Sequence, residues 1–347
     1  MQHTAPSTTD RPSERGVDRP WGADDNPADA AADRALDALL ATDVLYGPGF
    51  ANHGPMAVEA LEHMGRTAAD IERFMADYTP RLTAKAATAE PMVDWEHELR
   101  AHTRRLAPEA AALAGHGLLR LAHAVRAVRR HDRPLRRADL TEAVAYWASG
   151  HGIAGRTPAG SATLEDALRR LPRLRPADTT GALTRTLKRA AEDTEVQEVL
   201  ASIAPPVDHG AFTDALALAS VDRYLANGDE RSFVFLHGVT VPTMAAELLP
   251  FLDDDGRSTL AAALAGFVLY AVAGFDNEPD VAGAERAEAP NDLDPSTADD
   301  RTLAAEAAAT LDDHTIKFTD SCLTLARRTG ATAPRLAAAI RIAATRR

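Results

Sequence analysis

The chain has 347 residues, 45% of them hydrophobic but only 5% aromatic, and carries a formal net charge of -13. Its single cysteine, Cys322, excludes an internal disulfide framework and suits a reducing, cytoplasmic setting. No charged-then-apolar leader opens the sequence and apolar runs such as 260–275 read as too short for a bilayer, so a soluble cytoplasmic protein with no membrane partner is expected.

Residues 1–30 are rich in Pro, Ser, Thr and Asp without apolar periodicity and read as a disordered tail. The remainder, 31–347, reads as one helical domain. From Ala31 the pattern ADRALDALLATD predicts an amphipathic helix, followed by a Gly47-Pro48-Gly49 link. In Asn52-His53-Gly54-Pro55-Met56, Pro55 suits a first helical turn, where its missing N–H is no loss, and this puts His53 at a helix entry. Gly65 ends that helix, and Thr67 to Asp70 open the next, which Pro80 closes. Trp95 to Ala114 reads as helix broken near Pro108; Gly115-His116-Gly117 then precedes the periodic LLRLAHAVRAVRR, and Asp139 to Glu142 lead into AVAYWAS. Short helices are expected over 164–171, 181–191, 195–203 and 212–225. The run 233–252 begins β-branched, carries His237-Gly238 and settles into helix; 260–273 reads as a buried helix. Segment 276–300 holds nine acidic residues and one Arg, a local charge of -8, and reads as a mobile insertion. Two helices, about 300–328 and 333–346, close the chain. Strand signals are nearly absent, so the expected class is all-α: a single large multi-helix, bundle-like domain with a buried central site.

The basic run 116–137, with seven Arg and one Asp, has its arginines at helical spacing and no interleaved aromatics. It reads as the solvated face of an amphipathic helix and not as a nucleic-acid surface.

Chemistry concentrates elsewhere. His53, His116 and His237 are each followed by Gly at or near the start of an apolar helix, and His314 sits in the apolar run that also contains Lys317. His314 and Lys317 are three apart and share a helix face. A lysine in such surroundings needs a carboxylate partner, a lowered pKa or chemical conversion; Asp313 and Asp320 are the nearest partners, while carboxylation of the ε-nitrogen would make it an oxygen ligand. Neutral imidazoles converging in a helical bundle build first-row transition-metal sites. No HExxH, cysteine pair, GxGxxG, Walker or GxSxG motif is present. Cys322 on an Ala/Leu face reads as a small hydrophobe.

Five ordered blocks resemble the questin oxidase-like proteins: Asn52-His53-Gly54-Pro55-Met56 with its following helix, His116-Gly117-Leu118-Leu119-Arg120-Leu121-Ala122-His123, Glu142 to Trp147, Phe235-Leu236-His237-Gly238-Val239-Thr240, and Asp313-His314-Thr315-Ile316-Lys317. The resemblance covers roughly residues 35–330. It implies a flavin-free, non-haem Fe(II) oxygenase acting with O2 on an aromatic polyketide or anthraquinone-like small molecule, by Baeyer–Villiger-type or ring-cleaving oxidation. It further implies metal ligation by His53, His116, His237, His314 and a carboxylated Lys317. The sequence departs from the family at Gly238, where relatives often carry a second His, and at Arg120 and His123. His123, two turns from His116, is a candidate catalytic group or sixth ligand, and Tyr146 a candidate catalytic and substrate-facing group with Trp147, Phe235 and Met56. Asp313 or Asp320 would fix imidazole tautomers. Alternative readings are a metal-free helical protein that binds a hydrophobic small molecule, and an oxidase of the same family using NADPH as external reductant.

Overall fold

The computed structural model describes residues 27–85, 89–153, 155–175, 183–227, 233–276, 289, 291–294 and 298–346. In chain order the α-helices are α1 Pro27–Leu40, α2 Gly54–His63, α3 Ala68–Tyr78, α4 Trp95–Leu106, α5 His116–Arg130, α6 Pro134–Ala148, α7 Leu164–Arg170 and α8 Leu183–Glu192. They continue as α9 Thr194–Ser202, α10 His209–Asn227, α11 Phe233–Ala245, α12 Asp254–Phe275, α13 Asp300–Ala309, α14 Asp313–Thr329 and α15 Ala333–Thr345. The only sheet among the described residues is a hairpin of β1 Leu45–Tyr46 and β2 Phe50–Ala51. The class is all-α, as expected.

Four helices form the centre. α2 packs on α5, α5 on α11, α11 on α14 and α14 back on α2, closing a ring. All four run the same way. On α5 and α11, His116 faces His237 near the helix starts and Arg129, in the last turn of α5, meets Glu247 just past the end of α11. On α2, α5 and α14, Glu59, Arg126 and Asp320 meet one layer below His53, His116 and His314. Long connections separate these helices in sequence, which is what lets neighbours run parallel. Each is backed by an outer partner: α1 and α3 cover α2, α6 covers α5, α10 covers α11, and α15 covers α14.

The glycine after each histidine has a packing cause. A Cβ on Gly117 would sit 2.6 Å from the Trp147 indole, and one on Gly238 would sit 2.7 Å from Ser220 Oγ. These glycines therefore let the inner helices lie close on α6 and α10.

Several elements differ from expectation. α1 begins at Pro27, not Ala31, and Asp29 in its first turn is buried and paired with Arg130 and His131. The tail 1–26 lies outside the described residues, as does most of the acidic segment; its first residue, Asp276, is buried and ion-paired with Arg173 and Arg223. The expected 300–328 helix is two helices. The chain turns at Leu311, whose φ is 55°, and Asp312 caps α14 by accepting the Thr315 N–H at 2.7 Å. α12 has 22 residues and is long and apolar enough to cross a bilayer, contrary to the sequence reading, but 72% of its most apolar window is buried inside the protein. The basic run is not a solvated face: Arg120, Arg126 and Arg136 are buried, paired with Asp139, with Glu59 and Asp320, and with Glu62 and Asp33. Arginine at helical spacing signals amphipathicity, but buried carboxylates on neighbouring helices turn that face inward here.

Candidate metal centre

The starts of the four inner helices bring four imidazoles together. His53 caps α2, His116 opens α5, His314 is the second residue of α14, and His237 lies just over one turn into α11. The His53 ring stacks on His116 (centroids 4.9 Å, 10° between planes) and meets His314 edge-on at 4.6 Å. His237 lies 4.9 Å from His116 and 5.9 Å from His314.

The Nδ1 atom of every ring has an oxygen beside it. His116 Nδ1 donates to the Leu113 carbonyl at 2.5 Å, and His237 Nδ1 to the Phe233 carbonyl at 3.1 Å. Asp313 serves the other two, with Oδ2 at 2.5 Å from His53 Nδ1 and Oδ1 at 3.4 Å from His314 Nδ1. Carbonyls only accept, so Nδ1 carries the hydrogen in His116 and His237, and the ionised Asp313 places it likewise in His53 and His314. A neutral ring then presents an Nε2 lone pair. Burial, with the charges of Lys317 and neighbouring histidines, holds His53, His116 and His237 well below the ordinary histidine range. Burial works to raise the Asp313 carboxyl, but hydrogen bonds from His314 and His53 outweigh it and keep it ionised.

The Nε2 atoms have no such partners. Those of His53 and His314 are buried without a hydrogen bond, and those of His116 and His237 face each other at 3.3 Å. Two nitrogens each about 2.1 Å from one ion stand roughly 3.0–3.4 Å apart. The donor set fits a first-row transition metal. It would be held by His53, His116, His237 and His314, with Asp313 behind two of them.

The loops ahead of α5 and α14 carry strain. Leu113 and Ala114 both hold left-handed backbone, φ 55° and 56°, before Gly115 at 85°. Each non-glycine residue there costs roughly 1–2 kcal/mol. The turn presents the Leu113 carbonyl to His116, and Leu311 does its turning next to Asp312 and Asp313.

Lys317 is buried on α14 one turn after Asp313. Among the described residues no carboxylate lies within ion-pair distance of it, since Asp313 is engaged by two histidines and Asp320 by His63 and Arg126. Burial pushes its pKa down to about 8, with Asp313 and Asp312 opposing. The simple salt bridge expected from sequence is absent; the amine is near enough to depress His53, His116 and His237.

His123 and Tyr146 do not join this ring. Seven residues along α5 from His116, His123 sits about 10 Å deeper, its Nδ1 2.6 Å from Glu59 Oε2. Tyr146 borders a small crevice with Asn52, Pro55 and Arg120, and burial pushes its hydroxyl up to about 12, Arg120 opposing. Trp147, Phe235 and Met56 are fully buried core residues. Phe233 is the aromatic beside the centre, its ring 5.1 Å from His237 and 4.9 Å from His314.

A second polar layer was not found from sequence. Arg126 donates to both oxygens of Glu59 and to Asp320, while His63 Nδ1 lies 2.6 Å from Asp320 Oδ1. Ligand atoms of Glu59, His123 and Asp320 lie within 4.8 Å of one another, but the Arg126 guanidinium already supplies the cation there. The available signal was Glu59 and His63, one turn apart on a helix whose every residue is buried.

No family model and no curated protein matches this sequence.

Proposed function

We propose that the chain is a non-haem iron oxygenase acting on an aromatic polyketide or anthraquinone-like substrate. One observation carries the metal: two neutral imidazoles, each with its hydrogen committed to a carbonyl, point their Nε2 lone pairs at each other across 3.3 Å. That arrangement is repulsive unless a cation sits within reach of both. The choice of iron and of substrate class rests on the resemblance of the five sequence blocks to the questin oxidase-like proteins, since imidazole donors also suit zinc, copper and nickel.

Bound Fe(II) would supply the one-electron chemistry that lets O2 react with an electron-rich phenol or hydroquinone. The residues do the rest. Asp313, Leu113 and Phe233 hold the four tautomers, the surrounding apolar core limits water, and Lys317, carboxylated on its ε-nitrogen, adds a charged oxygen ligand and removes the buried ammonium. The test is elemental analysis of purified protein together with 13C NMR after exchange with 13C-bicarbonate. Stoichiometric iron and a carbamate resonance that vanishes in Lys317→Ala are expected. Protein that carries no iron, and whose spectrum and stability ignore added Fe(II), would be the metal-free binder instead. Oxygen uptake that requires NADPH would assign the external reductant.

A further inference from the structure

The described residues expose only five large hydrophobic side chains: Leu45, Phe50, Val93, Val207 and Phe233. Three of them stand at the end of the bundle where the four inner helices begin. Phe233 is 47% exposed although its ring touches His237 and His314. On the hairpin, Phe50 is 59% exposed and its ring lies 5.8 Å from Tyr46, which in turn meets Tyr78 at 6.3 Å. The Tyr78 hydroxyl accepts the His53 backbone N–H at 2.7 Å, so the hairpin is anchored beside His53 of the same centre. Among the described residues most other aromatic rings are buried, with Tyr46, Phe212 and Phe275 half-buried, so these exposures stand out. Apolar side chains left exposed beside a site mark a contact surface.

We propose that Phe233 is the platform on which a planar aromatic substrate lies against the His237–His314 side of the centre, with Phe50 of the hairpin near His53 as a second contact. The inference rests on the oxygenase reading and adds where the substrate sits and what selects it. The occupant is a small planar ring system because the half-exposed ring of Phe233 is an aromatic surface set beside the imidazoles themselves. Aromatic rings favour such offset or edge contacts. A second protein copy would need a broad apolar patch, and only five large hydrophobic side chains are exposed among the described residues.

The experiment is a titration with 1,8-dihydroxyanthraquinone, read from its visible absorption, on wild type, Phe233→Ala, Phe233→Trp and Phe50→Ala, with iron content and melting temperature measured in parallel. Phe233→Ala should weaken binding about 3- to 10-fold and Phe50→Ala about 2-fold, with Phe233→Trp staying within about 2-fold of wild type. Iron content should not change. Equal binding by Phe233→Ala and wild type, no binding by wild type, or a dimer dispersed by these variants without effect on the dye would each overturn the proposal. Dye bound through Phe233 by protein that takes up no iron would sink the oxygenase reading alone; iron-loaded protein whose dye binding ignores Phe233 would sink this inference alone.

Discussion

The Nε2 atoms of His116 and His237 stand 3.3 Å apart, and neither ring can place a hydrogen between them, because each spends its own on a main-chain carbonyl. Burial heads the causes that keep both rings from taking a second proton. Without metal the pair is therefore destabilising, and with metal it is a binding site. Replacing His237 by Leu should abolish iron retention while leaving the metal-free protein as stable as wild type or more so. Metal at about 100 times its dissociation constant should stabilise wild type by roughly 2.7 kcal/mol, and do nothing for the variant. Thermal melts with and without Fe(II) read both effects; a His237→Leu protein that keeps its iron refutes the assignment.

Asp313 acts through the rings it touches. Its two oxygens lie beside the Nδ1 atoms of His53 and His314, fixing both tautomers and adding a negative charge behind them. Asn at this position keeps the shape but turns one oxygen into a donor, which clashes with one of the two imidazole N–H groups. Metal affinity should fall about 10- to 100-fold, measured by competition with a chelator, with little change in the melting temperature of the metal-free protein. An unchanged affinity would mean that the carboxylate plays no part in holding the ligands.

The deeper polar layer makes a pH prediction independent of metal. Burial works to raise the Glu59 carboxyl, but Arg126 and the hydrogen bonds from His123 and Arg126 outweigh it and hold it below its ordinary 4.5. The folded chain thus keeps Glu59 charged where the unfolded chain takes up a proton. That contribution is complete above pH 4.5 and is lost as pH falls toward the folded value. Glu59→Gln leaves Arg126 with Asp320 alone and should cost about 3–5 kcal/mol at neutral pH. The gap to wild type should narrow as the pH falls from about 5 to about 3, followed by urea titration. A gap that stays constant across this range would remove the charge pair as its cause.

Much of the centre was legible because its signals are local. A histidine before glycine at a helix start and a lysine one turn from a histidine are visible in a single line of sequence. The second layer was not, because Glu59 and Arg126 look like ordinary helix-surface charges, and the sequence assigns His123 and Asp320 to the upper centre, until three helices bring the four together. The break at Leu311 was hidden differently: the residues on both sides form helix, Ala-rich before it and mostly not after, and Asp312 reads as an N-cap only once its bond from the Thr315 N–H is seen. The aromatic beside the imidazoles is Phe233, two positions before the Phe235 that the sequence suggested, since hydropathy does not say which side of an almost wholly apolar helix meets solvent. Phe235 is fully buried and Phe233 about half exposed.

The strained turn before α5 yields a last prediction. Ala114 has φ 56° and ψ 35°, and its Cβ is strained by the left-handed backbone while its neighbour Leu113 aims a carbonyl at His116. Glycine adopts this conformation without strain, relieving roughly 1–2 kcal/mol, while the freer unfolded chain takes back about 0.5–1 kcal/mol. Ala114→Gly should thus be neutral or stabilising by up to about 1.5 kcal/mol. Ala124→Gly, in the right-handed interior of the same α5, should lose about 1 kcal/mol or more. Chemical denaturation of the pair decides it: equal losses would show that the turn is not strained in solution. If iron affinity falls in Ala114→Gly although stability does not, the strain serves to hold the Leu113 carbonyl on His116.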